Sequence, residues 1–413
     1  MKILFLSDNF PPEVNAIASR VFERARHWAR WGHEVTIITS APNFPEGKVH
    51  EGYENRWRQV EIIDGIRVVR VKTFIAPNEG FLLRTIDFLS YMITAPWGAR
   101  SEPTPDVVAA TSPQIFVAVA GFIVARLKRK PFVMEVGDLW PASIIAVNAM
   151  KPGLIIRLLE KLELFLYRRA VRVILLTKAF RENLIRRNIP ADKLDVVRNG
   201  VELSYFQSRS KDIQLARSFG LKDEFVIGYI GTHGMAHNLS NVIKAAEQTR
   251  NDKNILYLFV GSGAEKRSLV ALAEEKKLSN VIFLPSQPKA AMPSIWSVCD
   301  VALAHLRDSP TMREVVPSKM FEAMGMALPI LLVAPEGEAS QILTETGAGI
   351  HVPAGRPKAL AEAVRELSRN PELMRRLSER SRAAAPKHSR EEQARLYLDS
   401  LSRACDMHEK DRC

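Results

Sequence analysis

The sequence predicts an α/β protein built from two doubly wound domains. Short apolar strands are followed repeatedly by amphipathic helices, and this series runs twice, first from Met1 and again from Phe225. A chain of 413 residues, of which 46% are hydrophobic, is long enough for two or three domains. We expect the domains to span residues 1–197 and 198–386, with a helix in residues 387–413 packing back on the first domain.

Composition excludes several classes of protein. No apolar run approaches the length of a membrane span, and the apolar stretch after Met1 is too short for a signal peptide. The three cysteines, Cys299, Cys405 and Cys413, form neither a disulfide framework nor a zinc-binding spacing. We therefore expect a protein of the reducing cytoplasm.

The net charge of +12 is concentrated in one part of the chain. Residues 151–198 contain twelve basic and five acidic side chains, a net charge of +7, and residues 154–166 have the pattern of an amphipathic basic helix. Such a segment suits an anionic membrane surface. Residues 81–92 are unusually apolar, which fits a core helix and a membrane-contacting helix equally well. The charge would also suit nucleic acid, but no nucleic-acid-binding module is recognisable.

Two polar residues of the first domain, Asn15 and Asp138, lie in loops that follow predicted strands. Strand residues 2–7 lead into a loop that contains Asn15, and strand residues 132–136 lead to Asp138. Parallel strands joined by helices place such loops at the carboxyl edge of the sheet, where ligands bind. We therefore expect Asn15 and Asp138 near a ligand, although Asp138 would also serve as an ordinary helix cap.

The second domain has two loops of the same kind. Strand residues 225–230 and 255–260 each end at a glycine, which allows a close approach of the backbone. A lone Gly-x-Gly is a weak signal by itself. The candidate donor-binding residues in these loops are Gly231, Thr232, His237, Gly261 and Ser262.

Residues 314–333 predict a loop, a short helix and a strand buried on both faces. Ser318 is placed to cap the helix, and Lys319 adds a positive charge at its first turn. A helix N-terminus beside the end of a parallel strand is suited to binding phosphate. Glu322 can accept two hydrogen bonds from a sugar diol, but two glutamates eight residues apart, Glu314 and Glu322, would equally be solvated charges on spacing alone.

In its context this segment resembles the E-x7-E segment of retaining glycosyltransferases of family 4. The resemblance implies the GT-B fold, with two Rossmann-like domains facing each other across a nucleotide-sugar cleft. It also implies that Glu314 contacts the donor sugar, that Glu322 holds the ribose and that Lys319 steadies the diphosphate. Relatives usually carry Arg and Lys where this chain has Thr232 and His237, so the usual pair of cations is missing.

Residues 135–141 resemble a segment of bacterial polysaccharide and O-antigen transferases of the fucosaminyltransferase-like type. The resemblance implies transfer of a hexosyl or N-acetylhexosaminyl group, with retention, from a nucleotide sugar such as a UDP-sugar. The implied acceptor is a growing surface glycan on polyprenyl diphosphate, and the protein would associate peripherally with the inner face of the cell membrane. No Asp-x-Asp motif is present, so we expect neither a metal nor another cofactor.

The predicted site therefore has two groups of residues. The catalytic candidates are Glu314, Lys319 and Asp138. The donor-binding candidates are Asn15, Gly231, Thr232, His237, Gly261, Ser262, Ser318, Lys319 and Glu322.

Two other functions are compatible with parts of the sequence. A nucleotide-sugar 2-epimerase shares the two-domain architecture and would convert the donor without an acceptor. A basic nucleic-acid-binding protein would explain the charge but not the segment from Glu314 to Glu322.

Overall fold

The computed structural model describes residues 1–13, 15–44, 46–75, 81–112, 114–141 and 153–410. The chain forms two compact units. Unit 1 consists of Met1–Arg198 together with Glu391–Cys413, and unit 2 is the continuous stretch Asn199–Arg390. Unit 2 therefore lies within the sequence of unit 1, and the chain first passes from unit 1 to unit 2 between Arg198 and Asn199.

Unit 1 contains a sheet of eight strands in the order β3-β4-β2-β1-β5-β6-β7-β8. Its strands are β1 (Lys2–Leu6), β2 (Glu34–Ser40), β3 (Arg58–Ile63), β4 (Ile66–Val71), β5 (Val107–Thr111), β6 (Phe132–Val136), β7 (Arg172–Leu175) and β8 (Leu194–Val196). Strand β3 is antiparallel to β4, and the other neighbours are parallel.

Helices cover both faces of this sheet, as in a doubly wound domain. Among the described residues, the helices that come before unit 2 in the chain are α1 (Ala16–Arg30), α2 (Phe81–Arg100), α3 (Ile115–Lys128), α4 (Leu154–Arg169) and α5 (Lys178–Arg186). Along β1, Ile3 and Phe5 join one hydrophobic cluster while Leu4 and Leu6 join another. This alternation shows that the strand is buried on both faces.

Unit 2 contains six parallel strands in the order β11-β10-β9-β12-β13-β14. They are β9 (Phe225–Ile230), β10 (Ile255–Val260), β11 (Val281–Leu284), β12 (Val301–His305), β13 (Ile330–Ala334) and β14 (Gly349–Pro353). Its helices are α6 (Ile213–Ser218), α7 (Ser240–Gln248), α8 (Lys266–Glu275), α9 (Met292–Ser297), α10 (Lys319–Gly325), α11 (Glu338–Thr346), α12 (Pro357–Arg369) and α13 (Pro371–Ala384).

The last helix, α14 (Arg390–Lys410), returns to unit 1. Tyr397 is fully buried there, with its ring centroid 5.3 Å from that of Trp28, and Trp28 donates its indole N–H to the carbonyl oxygen of Ala394 at 2.8 Å. The guanidinium of Arg24 lies 3.8 Å above the Tyr397 ring. Helix α14 therefore completes one of the two cores of unit 1.

Three strands, each at an edge of its sheet, are absent from the sequence-based prediction: β3, β8 and β14. The edge strand β3 pairs with β4 across the two-residue turn Asp64-Gly65, and both turn residues have positive φ, 49° and 81°. This is the turn that an Asp-Gly pair favours in a hairpin, so the signal was present in the sequence. Among the described residues, no helix is both long and apolar enough to cross a membrane.

Candidate active site

The candidate donor site lies at the carboxyl edge of the unit 2 sheet. Strands β9 and β12 are neighbours, and the strand order runs outward in opposite directions from this pair. Loops after such neighbouring strands diverge and leave a crevice at the sheet edge, which is the usual ligand site in doubly wound folds. The loop after β9 begins at Gly231, the loop after β10 begins at Gly261, and Lys319 follows β12 by one loop.

The two glycine loops pack directly against each other. The N–H of His233 donates to the carbonyl oxygen of Ser262 at 2.8 Å. A β-carbon on Gly261 would stand 2.0 Å from the carbonyl oxygen of Gly231, and one on Gly263 would stand 2.4 Å from that of His233. Gly261 is therefore needed for contact between the loops. The sequence predicted instead that it lets the backbone approach the nucleotide.

Lys266 stabilises the second of the two glycine loops. Its ammonium donates to the carbonyl oxygens of Gly261 at 2.7 Å and Leu284 at 2.6 Å. Ser262, the exposed residue between the glycines, accepts a hydrogen bond at 2.9 Å from the hydroxyl of Ser286. The positive charge of Lys266 is thus committed to the backbone, a role that no pattern in the sequence indicates.

Lys319 is placed differently, because its ammonium has no hydrogen-bond partner among the described residues although the nitrogen is buried. The nitrogen lies 3.4 Å from the ring centroid of Tyr229, and a β-carbon on Gly231 would be 3.2 Å away. Burial lowers the pKa of Lys319 to about 7, and the charge of Glu322 offsets only part of this shift. A buried cation without a hydrogen-bonding anion is costly, so the position favours an anionic ligand.

Tyr229 connects this lysine to the first glycine loop. The Lys319 ammonium lies over the face of its ring, and its hydroxyl donates to the carbonyl oxygen of Thr232 at 2.8 Å. Thr232 itself is exposed. Tyr229 was predicted only as a strand residue, since nothing in the periodicity of β9 indicates what lies at the end of its side chain.

His237 lies close to the same cation. Its Nδ1 is 3.2 Å from the carbonyl oxygen of His305, and its ring is 6.0 Å from that of Tyr229. Burial, together with the charge of Lys319, lowers the pKa of His237 to about 4. His237 is therefore neutral near pH 7 without a ligand and does not replace the missing cation.

Helix α10 carries the remaining predicted residues. The indole N–H of Trp296 donates to Glu322 Oε2 at 3.1 Å, which orients the carboxylate. Ser318 stands at the N-cap position but makes no side-chain cap hydrogen bond, so the predicted capping role is wrong. Its backbone is already helical there, with φ −60° and ψ −27°, which removes the geometry a cap requires. Glu314 ends the short 3-10 helix Pro310–Glu314.

Unit 1 contains a cavity of about 370 Å³ at the carboxyl edge of its own sheet. Asn15 and Asp138, the two residues predicted for this domain, both line it. Asn15 caps α1 by accepting from the N–H of Ala18 at 2.9 Å, which holds its side chain in place. Burial raises the pKa of Asp138 to about 6, against the attraction of Arg20.

A buried ion cluster adjoins this cavity, because Arg20 lines the cavity and also belongs to the cluster. Glu135 on β6 is bound by Arg24, with Nη2 to Oε2 at 2.6 Å, and by Arg20, with Nε to Oε1 at 2.8 Å. Burial opposes ionisation of Glu135, but the two guanidinium groups outweigh it and hold its pKa at about 2. The cluster links α1 to β6 and fixes the strand that leads to Asp138.

Both halves of the chain match models of glycosyltransferase domains. Residues 15–200 match the family described as "Glycosyl transferase 4-like domain", and residues 211–384 match "Glycosyl transferases group 1". Together the matches cover all but the two ends of the chain and a short connection. They support a glycosyltransferase family for this chain.

Known proteins agree with this assignment. The chain is 26% identical over 360 residues to a protein of Escherichia coli named "Putative colanic acid biosynthesis glycosyl transferase WcaI", covering 85% of this chain and 88% of that protein. The structure is similar to a sucrose-phosphate synthase from Thermosynechococcus elongatus, with TM-score 0.78, 18% identity and coverage of 97% and 98%. It is also similar to Anabaena Alr3699/HepE in complex with UDP-glucose, with TM-score 0.72, 18% identity and coverage of 97% and 99%.

The fold defines the class: two Rossmann-like units, as in the GT-B glycosyltransferases. Within that class, the two domain matches and the relative above support glycosyltransferase activity. The 2-epimerase alternative is not favoured, because neither domain match nor the relative above is an epimerase.

Proposed function

We propose that this protein transfers a hexosyl or N-acetylhexosaminyl group, with retention and without a metal, from a UDP-sugar. The acceptor is a growing bacterial surface glycan carried on polyprenyl diphosphate at the inner face of the cell membrane. Two relatives support this proposal: WcaI is named for colanic acid biosynthesis, and the Anabaena protein is described in complex with UDP-glucose.

One observation carries the donor assignment, namely the buried ammonium of Lys319 without a hydrogen-bond partner beside Gly231 and the start of α10. A diphosphate at this position would meet a full positive charge and the partial charge of a helix N-terminus. The chain has no Asp-x-Asp motif to hold a metal at a diphosphate. In the proposed reaction Lys319 therefore carries most of the neutralisation of the leaving group.

The other residues take roles around this charge. Glu322, oriented by Trp296, accepts hydrogen bonds from the ribose hydroxyls, and Glu314 orients the donor sugar. The bond between the anomeric carbon and the phosphate oxygen breaks while the acceptor oxygen bonds to the same face of that carbon. The departing phosphate oxygen takes the acceptor proton, and Asp138 orients the acceptor hydroxyl.

Membrane association is the part of the proposal that concerns unit 1. Helix α4 exposes Leu154, Ile155 and Leu158, of which Leu154 is 73% exposed, and helix α2 exposes Trp97 to 73%. Basic side chains, among them Arg157, lie between the apolar residues of α4. Exposed apolar and basic side chains on one helix are typical of contact with an anionic membrane surface.

The donor assignment is tested by thermal unfolding with a panel of nucleotide sugars. A UDP-sugar is expected to raise the melting temperature, since a ligand that binds only the folded state stabilises it. Glu322→Gln should weaken this binding by roughly 10- to 150-fold, the equivalent of losing about 1.5–3 kcal/mol from charge-assisted hydrogen bonds. The glutamine oxygen can still accept from Trp296, so the melting temperature without donor should change little.

Glu274→Gln is the matched control, because Glu274 is an exposed glutamate on α8 of the same unit. It should leave donor binding unchanged. Stabilisation by GDP- or ADP-sugars but not by UDP-sugars would overturn the choice of nucleotide. Equal donor binding by the two glutamine variants would remove Glu322 from the site.

A further inference from the structure

The lining of the unit 1 cavity contains carboxyl groups to which the proposed transfer reaction assigns no role, apart from that of Asp138. It opens beside the ends of β1, β2, β4, β5 and β6, and its lining includes Asp8, Asp87 and Asp138 from three separate parts of the unit. Its volume of about 370 Å³ is within the usual range of ligand pockets, about 300–1,000 Å³. It is therefore large enough to hold a small ligand.

The three carboxyl groups are desolvated. Burial raises the pKa of Asp8 to about 7, and the nearby charges of Glu13 and Asp87 raise it further. Burial also raises the pKa of Asp87 to about 7, although Arg84 opposes this. Groups of like charge have thus been brought together in one concave wall at a cost in folding free energy, and such perturbed carboxyl groups in a cavity mark a candidate ligand site.

The cations of the lining do not balance these carboxyl groups. Arg20 is engaged by Glu135 through its Nε, and its Nη2 donates to the hydroxyl of Thr111 at 3.3 Å. Among the described residues of the lining, Arg84 on α2 is the other basic one. Within that described lining, an anionic ligand would therefore meet three carboxyl groups against one guanidinium that is not already committed to Glu135.

A separate observation indicates that the ligand carries hydroxyl groups. Thr73 is only 4% exposed and lines the cavity, yet its hydroxyl has no hydrogen-bond partner among the described residues. The side-chain oxygen of Gln114, also in the lining, is buried without a partner in the same part of the structure. Buried polar groups are nearly always paired, so these two atoms lack the partner that a ligand would supply.

We propose that the unit 1 cavity binds one neutral sugar unit of the acceptor glycan and rejects a sugar that carries a carboxylate. The inference rests on the proposed function, because it assigns part of the glycan acceptor to this cavity. The carboxyl groups of Asp8, Asp87 and Asp138 accept hydrogen bonds from sugar hydroxyls. Thr73 and Gln114 pair with further hydroxyls, and the rings of Phe88 and Tyr91 provide apolar contact.

The test is equilibrium binding of small glycosides to the full-length protein at pH 8, where the carboxyl groups are ionised. Methyl glucoside and methyl N-acetylglucosaminide represent neutral sugars, and methyl glucuronide represents a uronate. We expect the neutral glycosides to bind at least tenfold more tightly than the glucuronide. Equal or tighter binding of the glucuronide, or no binding of the neutral glycosides, would overturn the inference.

Two variants sharpen this test. Asp87→Asn keeps the shape of the wall and removes one charge, so the preference for neutral glycoside over glucuronide should fall at least fivefold. Thr73→Val removes the unpaired hydroxyl and should weaken the binding of the neutral glycosides about tenfold. The ratio of the affinities for neutral and anionic sugars should not change. An unchanged ratio in Asp87→Asn contradicts the proposed origin of selectivity, provided its melting temperature shows that the variant is folded.

Donor binding by the same protein samples separates this inference from the proposed function. If a UDP-sugar stabilises the protein while neutral and anionic glycosides bind equally, only the assignment of the cavity fails. If the glycosides discriminate as expected while no nucleotide sugar binds, the cavity assignment stands as a sugar site and the donor assignment fails.

Discussion

At the scale of single residues, Lys319 combines burial of its ammonium with the absence of a hydrogen-bond partner among the described residues. Contact with the Tyr229 ring offsets part of the desolvation, since a cation over an aromatic face gains about 0.5–2 kcal/mol. The lowered pKa means that the folded protein favours the neutral amine. This contribution to stability is present above the unfolded pKa near 10.5 and is lost as the pH falls through about 7.

The first prediction concerns the pH dependence of donor binding. A diphosphate favours the charged ammonium, so binding should draw a proton onto Lys319 when the pH is above about 7. Donor affinity is expected to fall with rising pH above 7, with a limiting slope of about tenfold per pH unit. Calorimetry in buffers of different ionisation enthalpy measures the proton uptake directly, and Lys319→Met should abolish it.

Lys319→Met is also expected to lower turnover by a few hundredfold, corresponding to about 3–4 kcal/mol for loss of one preorganised group at the leaving charge. Thr232→Arg, made in that variant, should recover part of the loss because Thr232 lies in the loop that Tyr229 binds. The methionine variant should be at least as stable as the wild type at pH 7, so unfolding cannot account for its low activity. Turnover within threefold of the wild type would return Lys319 to the role of a structural lysine.

The residues in the loops after strands were the predictable part of the site. Gly231, Thr232 and His237 follow β9, and doubly wound sheets bring such loops to one edge, which allowed Lys319 to be placed beside them. What those residues touch was not predictable. The carbonyl of Gly231 fills the space above Gly261, a contact between loops thirty residues apart in the chain that no local pattern encodes.

Other site residues gave no usable signal in the sequence. Asp87 stands within the apolar stretch of α2, where a single carboxylate in a helix pattern indicates only a solvated face. In the folded unit it lines the cavity with Asp8 and Asp138, which come from loops fifty to eighty residues away. Tyr229 likewise stands in a run of apolar residues that predicts only a buried strand. Its contact with Lys319 depends on packing across the sheet.

At the scale of elements, α2 and α4 both expose large apolar side chains. Ile93 and Trp97 of α2 are 62% and 73% exposed, and Leu154 and Ile155 of α4 are 73% and 59% exposed. Helix α2 extends to Arg100, beyond the residues 81–92 that the sequence singled out, and Tyr91 of the same helix is buried. One helix thus contributes both to the core and to an exposed apolar face, so neither prediction made for it is excluded.

The second prediction follows from these faces. The protein should sediment with vesicles containing phosphatidylglycerol and should be released by high salt, because each basic residue near an anionic surface contributes about 1 kcal/mol that salt screens. Replacing Leu154, Ile155 and Leu158 of α4 by serine should weaken this binding. Ile62→Ser is the control, since Ile62 is 65% exposed on the edge strand β3. Binding to neutral vesicles that equals binding to anionic ones would contradict the proposed membrane contact.

At the scale of the whole molecule, unit 1 is made from both ends of the described chain. Helix α14 contributes Tyr397 to an aromatic cluster with Trp28 and Phe5, and Asp195 accepts a hydrogen bond from Ser400. Unit 2, by contrast, is a continuous stretch with its own two cores. The stability of unit 1 should therefore depend on α14 more strongly than that of unit 2 does.

The third prediction tests this difference. Tyr397→Ala is expected to lower the free energy of unfolding of unit 1 by about 3–5 kcal/mol, as for removal of a large buried aromatic side chain. Thermal unfolding should then separate into two transitions, and a nucleotide sugar should still raise the temperature of the later one. Leu396→Ala is the control, because Leu396 is 43% exposed on the same helix. A single transition shifted as a whole would show that the two units unfold together.

The position of unit 2 within the sequence of unit 1 has a consequence for synthesis on the ribosome. Domains generally fold as units while the chain emerges, the N-terminal one first. Here all of unit 2 has been synthesised by Arg390, whereas unit 1 still lacks α14 at that stage. Trp28 and Phe5 therefore lack the cover of α14 until the next 20 residues, up to Lys410, have been made. A released chain that ended at residue 390 would present a complete unit 2 tethered to an incomplete unit 1, a form that chaperones and proteases recognise by its exposed aromatic side chains.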